Sequence, residues 1–251
     1  MSLKESKDAI EQLYGVVVLE HFPNYEKFWV NFIGNPSAER IEPYRYEFPS
    51  DFNSIEKSKI LEGYERVQMV HYALLCHLAG AHFQLKELED TYKIEDLRER
   101  YFRHWEHYET GYLHLGSAFY MLRALWRIVL KLRGFPDKFR DLEKYLESKK
   151  KDELIQRLEK VENIVKIRRD QAVHYGRMAS LPYKGKFYVP FKVHRDMKWS
   201  DMKETGELVE TVANLREDTI ETEKLTNDLH EVLLSEYERL IVEKNIKIIC
   251  E

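Results

Sequence analysis

Nine apolar or aromatic residues recur in steps of three or four between residues 101 and 130. They are Tyr101, Trp105, Tyr108, Tyr112, Leu115, Phe119, Leu122, Trp126 and Leu130. Such steps keep side chains on one face of an α-helix, so the pattern predicts a helix from about Ile94 to Leu132 that packs through an aromatic seam. Gly134 and Pro136 predict its end. A helix this long favours a bundle of long antiparallel helices.

Other segments repeat the same spacing. A helix is predicted from Ser54, as its N-cap, to about Asp90, and its apolar stripe includes His71 and His82 together with Ile60, Tyr64, Val67, Leu74, Leu75, Leu78 and Leu85. A second begins near Asp152, ends at Gly176 and buries Leu154, Leu158, Val161, Val165 and Ala172. An acidic C-terminal helix is predicted at about 200–245, with a thinner stripe of Leu208, Val212, Leu215, Leu225, Leu229, Val232, Leu233, Tyr237 and Leu240.

The remaining segments are shorter. Helices are predicted within residues 7–33, before a loop that contains Pro36, Pro43 and Pro49, and a short helix is predicted at about 138–148. Residues 181–195 contain Pro182, Gly185 and an aromatic run, so they predict a small β-hairpin or extended insertion.

The composition agrees with an all-α fold and a single domain over residues 1–251. Charged residues make up 33% of the chain, with only 10 glycines and 7 prolines, which is typical of long helices with polar outer faces. Cys76 and Cys250 provide no disulfide framework, so a reducing, cytoplasmic location is predicted. The sequence has no apolar run long enough for a membrane span and no signal peptide pattern, and we predict neither a membrane partner nor a cofactor.

Positive charge is concentrated in one segment. Between Lys166 and Lys198 nine Lys or Arg residues oppose two Asp residues, a net charge of +7 in a chain whose overall charge is −4. A basic segment in an acidic chain indicates a local site for an anionic partner such as RNA.

The start of that segment contains two residue types suited to phosphodiester chemistry. Arg169 is followed by Asp170 and, five positions after the arginine, by His174. A guanidinium stays charged and donates to phosphate oxygens, whereas an imidazole titrates near neutral pH. Arg168 precedes His174 at a similar spacing and is the alternative arginine.

The segment Arg169-Asp170-Gln171-Ala172-Val173-His174 resembles the signature of the HEPN superfamily, in which an arginine, a polar residue, a short spacer and a histidine lie on a helix of an all-α bundle. The resemblance covers residues 54–177 as a HEPN-like core. It implies a homodimer with a composite site that cleaves RNA without a metal, in which Arg169 neutralises charge on the phosphate, His174 transfers a proton and Asp170 orients either side chain. The resemblance is also compatible with an antitoxin-like protein partner, in a toxin–antitoxin or defence system.

Residues around the motif extend this hypothesis to substrate binding. Arg168 precedes the motif and Tyr175, Arg177, Lys184 and Lys186 follow it, so we predict that these five hold the RNA backbone or stack on bases.

Three alternatives remain open. The two arginines are equally explained as cations at a helix C-terminus, with His174 closing the last turn. A HEPN-like dimer that binds RNA, a nucleotide or a protein without cleavage has the same sequence pattern. A metal site in the bundle core is less favoured, because the spacing of the histidines with Glu106 and Glu109 matches no common metal-binding pattern; the histidines are His71, His77, His82, His104, His107 and His114.

Overall fold

The structure is a computed structural model. It describes residues 45–137, 141–171, 181–183, 186–190, 202–204, 208–243 and 247–249. The helices predicted within residues 7–33 lie outside the described residues.

The described residues are mainly helical, which confirms the predicted all-α class. The helices are α1 (Ser54–Asp90), α2 (Leu97–Leu132), α3 (Leu142–Ser148), α4 (Asp152–Gln171) and α5 (Leu208–Glu243), and a 3-10 turn, Thr91–Lys93, follows α1. Eight of the nine seam residues predicted in α2 are buried, and Tyr101 is partly exposed. The spacing of apolar residues therefore identified the buried face of α2 correctly.

Local hydrogen bonds explain where the long helices begin and end. The predicted cap Ser54 is wrong, because Asn53 Oδ1 accepts from the Glu56 amide at 2.9 Å and Glu56 Oε2 accepts from the Asn53 amide at 3.2 Å. This reciprocal pair is a capping box with Asn53 as the N-cap. At the C-terminal end of α2, Gly134 has a φ of 76° and the Phe135 amide donates to the Leu130 carbonyl at 3.0 Å, which is the geometry of a Schellman motif. The helix ends at Leu132, just before Gly134, as predicted.

Short strands accompany the helices. β2 (Leu181–Tyr183), β3 (Lys186–Pro190) and β4 (Met202–Glu204) form an antiparallel sheet in that order. β1 (Arg45–Glu47) pairs antiparallel with β5 (Lys247–Ile249), so β structure is not confined to the region after the motif helix. The predicted start of the C-terminal helix near residue 200 is wrong, because residues 202–204 pair with β3 and α5 begins only at Leu208, after Gly206.

The described chain groups into two compact units. Unit 1 contains the described residues up to Cys76, those of Ala118–Leu158 and those from Glu223 onward; unit 2 contains those of His77–Ser117 and Glu159–Thr222. The core of unit 1 includes Trp126, Tyr145, Leu146, Leu229 and Leu233. The core of unit 2 includes Leu78, Tyr112, Leu115, Val165 and Leu215.

Candidate functional site

The predicted site begins in the last turn of α4, in unit 2. Arg168 and Arg169 are the basic residues of that turn, where the negative end of the helix dipole favours cations. Consecutive residues of a helix point about 100° apart, so adjacent arginines face different surroundings. Their contacts show that the two guanidinium groups have different partners.

Arg168 is held by groups of α5 and α2. Its Nη1 donates to Asp218 Oδ2 at 2.5 Å and to the Asn214 carbonyl oxygen at 3.3 Å. The Tyr112 hydroxyl, 3.5 Å from the same Nη1, donates to Asp218 Oδ2 at 2.7 Å. Asp218 and Tyr112 are buried, so Arg168 ties the end of α4 to the core of unit 2.

The electrostatics of this cluster fix its charge state. Burial, reinforced by Tyr108 and Asp218, raises the pKa of Tyr112 well above its ordinary value, so the phenol stays neutral and donates. Burial disfavours the charged guanidinium, but Tyr112 and Asp218 outweigh that effect and raise the pKa of Arg168. The cluster is thus a neutral phenol that donates to the carboxylate of the Arg168–Asp218 ion pair.

Arg169 has a more open environment. Its Nε and Nη2 donate to Asp170 Oδ1 at 3.1 and 2.8 Å, and the two side chains are 35% and 42% exposed. The arginine also crosses Gly116 of α2, where an added Cβ would lie 3.0 Å from Arg169 Cδ and 3.2 Å from Nη1. Gly116 therefore leaves room for the guanidinium beside α2.

The other predicted site residues are only partly within the described chain. His174, Tyr175, Arg177 and Lys184 lie outside the described residues. Lys186 is the first residue of β3, where it pairs with Tyr183 of β2. Substrate binding by these residues, and by Arg168, whose guanidinium has further N–H donors, stays a prediction.

Histidines in the described helices pair with separate partners. In unit 1 the rings of His71 and His230 meet edge to face at 5.2 Å, and burial lowers the pKa of both, that of His230 to about 4. In unit 2 His107 Nδ1 lies 2.8 Å from Gln84 Oε1, and His77 Nδ1 lies 3.2 Å from His114 Nδ1. The histidines considered for one metal site are thus distributed over several places.

His104 illustrates the structural use of a core histidine. The Thr91 hydroxyl donates to the Leu88 carbonyl at 2.6 Å, so its oxygen accepts from His104 Nδ1 at 3.0 Å. His104 Nε2 then accepts from the Thr211 hydroxyl at 2.5 Å. Burial is the main reason that the pKa of His104 falls to about 3, which keeps the ring neutral in this network.

The sequence did not predict that Asp218 lies beside Arg168 or that Gly116 lies beside Arg169. Asp218 had a usable signal, because it lies three residues after the buried Leu215 and seven before the buried Leu225, at a core position of α5. A carboxylate at such a position needs a cationic or hydrogen-bonding partner. Gly116 had no comparable signal, since its importance depends on the path of Arg169 across α2.

The described residues contain no group of three or more His, Cys, Asp or Glu side chains arranged to hold a metal ion. Within the same part of the chain, no helix is long and apolar enough to cross a membrane. Compared with known proteins, the chain matches no family model, no curated protein and no solved structure. The resemblance to the HEPN superfamily therefore stays a prediction based on residues 169–174.

Proposed function

We propose that the protein is a metal-independent endoribonuclease of the HEPN type, in which Arg169 and His174 act on the phosphodiester. The observation that carries the proposal is that the two adjacent arginines have different partners. Arg168 is committed to the buried Asp218, whereas Arg169 is partly exposed and precedes His174 by five residues. An arginine paired with an exposed carboxylate, beside one anchored to a buried carboxylate, suits contact with a polyanion.

The proposed reaction follows from the chemistry of RNA. The ribose 2′-oxygen attacks the adjacent phosphorus and loses its proton to one imidazole, while the bond from phosphorus to the 5′-oxygen breaks and that oxygen takes a proton from a second imidazole. The products are a 2′,3′-cyclic phosphate and a 5′-hydroxyl. Arg169 stabilises the negative charge that develops on the phosphoryl oxygens.

The donors of Arg169 agree with this role. Asp170 accepts from Nε and Nη2 through a single carboxylate oxygen. A guanidinium has five N–H donors, so three remain for phosphate oxygens while Asp170 fixes the plane of the group. Asp170 is therefore proposed as a positioning residue for Arg169.

Two proton transfers need two titratable groups, and the motif supplies one histidine per chain. A two-fold homodimer that brings two copies of the motif together would supply both imidazoles and both arginines. Tyr175, Arg177, Lys184 and Lys186, which follow the motif, are proposed to hold the RNA strand across that composite site. No cofactor enters this mechanism.

The test is RNA cleavage by purified protein in excess chelator, with analysis of the product ends. Wild type is compared with His174→Ala, Arg169→Ala and the control Lys160→Ala, which removes an exposed cation of α4 nine residues before Arg169. We expect cyclic-phosphate ends from wild type and from the control. Loss of an electrostatic contact of this kind costs about 100- to 1000-fold in rate, so cleavage by both site variants should fall by at least that factor.

Other outcomes distinguish the alternatives. Equal cleavage by wild type and His174→Ala would remove the histidine from the reaction. RNA binding without cleavage, weakened by Arg169→Ala, would instead favour the non-catalytic HEPN-like binding module. Sedimentation of the same samples would test the dimer, because a monomeric active enzyme contradicts the composite site.

A further inference from the structure

A second face of α2, distinct from its buried seam, carries a stripe of exposed residues. Its members are three, four or seven positions apart, so they lie within one sector of the helix, about 80° wide at 100° per residue. We call this face the outer stripe, and it consists of Glu99, Phe102, Glu106, Leu113, Tyr120, Arg127 and Lys131. Because α2 is one uninterrupted helix from Leu97 to Leu132, the stripe is a continuous surface that another helix can pack against.

The centre of the outer stripe is apolar. Leu113 and Tyr120 are 43% and 70% exposed, and Phe102, nearer the start of the helix, is 68% exposed. Large apolar side chains left in water forgo the free energy that their burial would contribute. Aligned on one helix face, they indicate a surface that a protein partner covers.

The charges of the outer stripe are separated along the helix. Glu99 and Glu106 precede the apolar centre, whereas Arg127 and Lys131 follow it. A two-fold axis places two copies of one helix antiparallel, so the acidic part of each copy faces the basic part of the other. This charge complementarity favours a second copy of the chain as the partner.

The order of the residues specifies one register for such a pair. When Leu113 lies opposite the partner's Tyr120, Glu106 lies opposite the partner's Arg127, because the two pairs have the same midpoint in the sequence. Apolar residues then meet apolar residues and opposite charges meet. A shift of seven residues would instead place Tyr120 opposite the partner's Glu106, or Leu113 opposite the partner's Arg127.

We infer that the outer stripe of α2 is the interface of a homodimer, in which two copies of α2 pack antiparallel about a two-fold axis beside Gly116. Gly116 lies three residues after Leu113 and four before Tyr120, so it borders the stripe. The shared midpoint of the two residue pairs falls within one residue of Gly116. The axis therefore passes next to the glycine that Arg169 crosses.

This arrangement brings the two copies of Arg169 together. A two-fold axis perpendicular to both helices keeps the two arginines on the same side of the pair, and directly packed helices lie about 8–10 Å apart. Two guanidinium groups this close repel each other, and Asp170, bonded to Arg169 in each copy, offsets part of that charge. A phosphodiester between the arginines would offset the rest. The inference rests on the proposed function, which needs two copies of the motif at one cleft, but its test needs no RNA.

The experiment is sedimentation equilibrium of the untagged full chain over a range of concentrations. Tyr120→Ala removes an interface aromatic, and Glu106→Arg and Arg127→Glu each place like charges opposite each other; all three positions are exposed, so folding is preserved. Each variant should raise the dissociation constant of the dimer by about tenfold or more. The control Lys160→Glu reverses an exposed charge on α4, about two and a half turns before Arg169, and should dimerise as wild type does.

A mixing experiment tests the register. In a mixed dimer of Glu106→Arg with Arg127→Glu, arginine faces glutamate at one contact and the unchanged arginine faces the unchanged glutamate at the other. The mixture should therefore associate about tenfold more tightly than either variant alone. A general effect of net charge on association does not predict this recovery for a specific pair of positions.

The outcomes separate this interface from the proposed activity. Wild type that stays monomeric would overturn the inference and assign the outer stripe to another occupant. A dimer unaffected by Tyr120→Ala and by both charge reversals, or a mixture no tighter than its components, would also overturn it, and the proposed nuclease would then need a dimer through another face. A dimer that depends on Tyr120 but cleaves no RNA would support the interface and remove the proposed activity.

Discussion

The guanidinium of Arg168 and the carboxylate of Asp218 form an ion pair at 2.5 Å that joins the last turn of α4 to α5 within unit 2. Asp218 is buried and also accepts from the Tyr112 hydroxyl, so its removal leaves two donors without their acceptor. Removing one partner of a buried pair costs about 3–5 kcal/mol, and partial exposure of Arg168 reduces this. We expect Asp218→Ala to lower the free energy of unfolding by about 2–4 kcal/mol.

The control for this measurement is the neighbouring pair. Asp170→Ala breaks the ion pair with Arg169, whose side chains are both more than a third exposed. Exposed pairs contribute about 0–1 kcal/mol, so urea denaturation should show a change within that range. Equal destabilisation by the two variants would mean that Asp218 does not anchor α4.

A second prediction concerns the end of α3. Lys150 has a φ of 56°, while the Lys150 amide donates to the Glu147 carbonyl at 2.9 Å and the Lys151 amide to that of Leu146 at 3.0 Å. This is a Schellman motif whose left-handed position is usually glycine, since a side chain there costs about 1–2 kcal/mol. Lys150→Gly should therefore stabilise the protein by up to about 1 kcal/mol in urea denaturation, after the entropy cost of glycine.

Lys150→Ala is the appropriate comparison, because it removes the same side chain without relieving the backbone. We expect no gain in stability from alanine. A gain of similar size in both variants would indicate that the lysine charge, and not its backbone conformation, is unfavourable.

The sequence predicted the helices well because their apolar spacing is a local property. Most of the predicted stripe of α1 is buried from Val67 to Leu85, including His71, whereas Ile60 and His82 are partly exposed. What the sequence did not predict depends on contacts between distant segments. Asp218 meets Arg168 only when α4 and α5 pack, and residues 202–204 form a strand because β3 offers them a partner. For the site, the residue types at 168–170 were evident, but their different partners were not.

A third prediction tests the position of Arg169. In Gly116→Ala the new Cβ lies 3.0 Å from Arg169 Cδ, so the arginine must shift by a few tenths of an ångström. Misplacement of a catalytic group by about 1 Å costs about 100-fold, so this smaller shift should reduce the proposed RNA cleavage by roughly tenfold. The melting temperature should not fall, because alanine favours the helix. Ser117→Ala, at the next position of α2, should cleave as wild type does, and equal activity of both variants would contradict a role for the position of Arg169.

A fourth prediction concerns acid stability. Because the pKa of His104 is about 3 in the folded protein and about 6.5 in the unfolded chain, the unfolded chain binds the extra proton between these values. Stability from His104 is therefore present above pH 6.5 and is lost as the pH falls toward 3, by at most about 1.4 kcal/mol per pH unit. His104→Gln should flatten the dependence of the unfolding free energy on pH between 4 and 6.5. Identical slopes for His104→Gln and wild type would show that His104 takes up its proton in the folded state as readily as when unfolded.

A fifth prediction concerns Glu223, which should make the free energy of unfolding fall as the pH rises. Its carboxyl is buried in unit 1, and burial raises its pKa to about 8, so the folded protein holds a proton that the unfolded chain releases near pH 4.5. The stability from the neutral form is present below pH 4.5 and is lost as the pH rises toward 8, by at most about 1.4 kcal/mol per pH unit. Glu223→Gln keeps the shape and removes the titration, so between pH 6.5 and 8 the variant should lose less stability than wild type. Urea denaturation at several pH values across this range measures the difference, and parallel curves would mean that Glu223 is already ionised in the folded protein at pH 6.5.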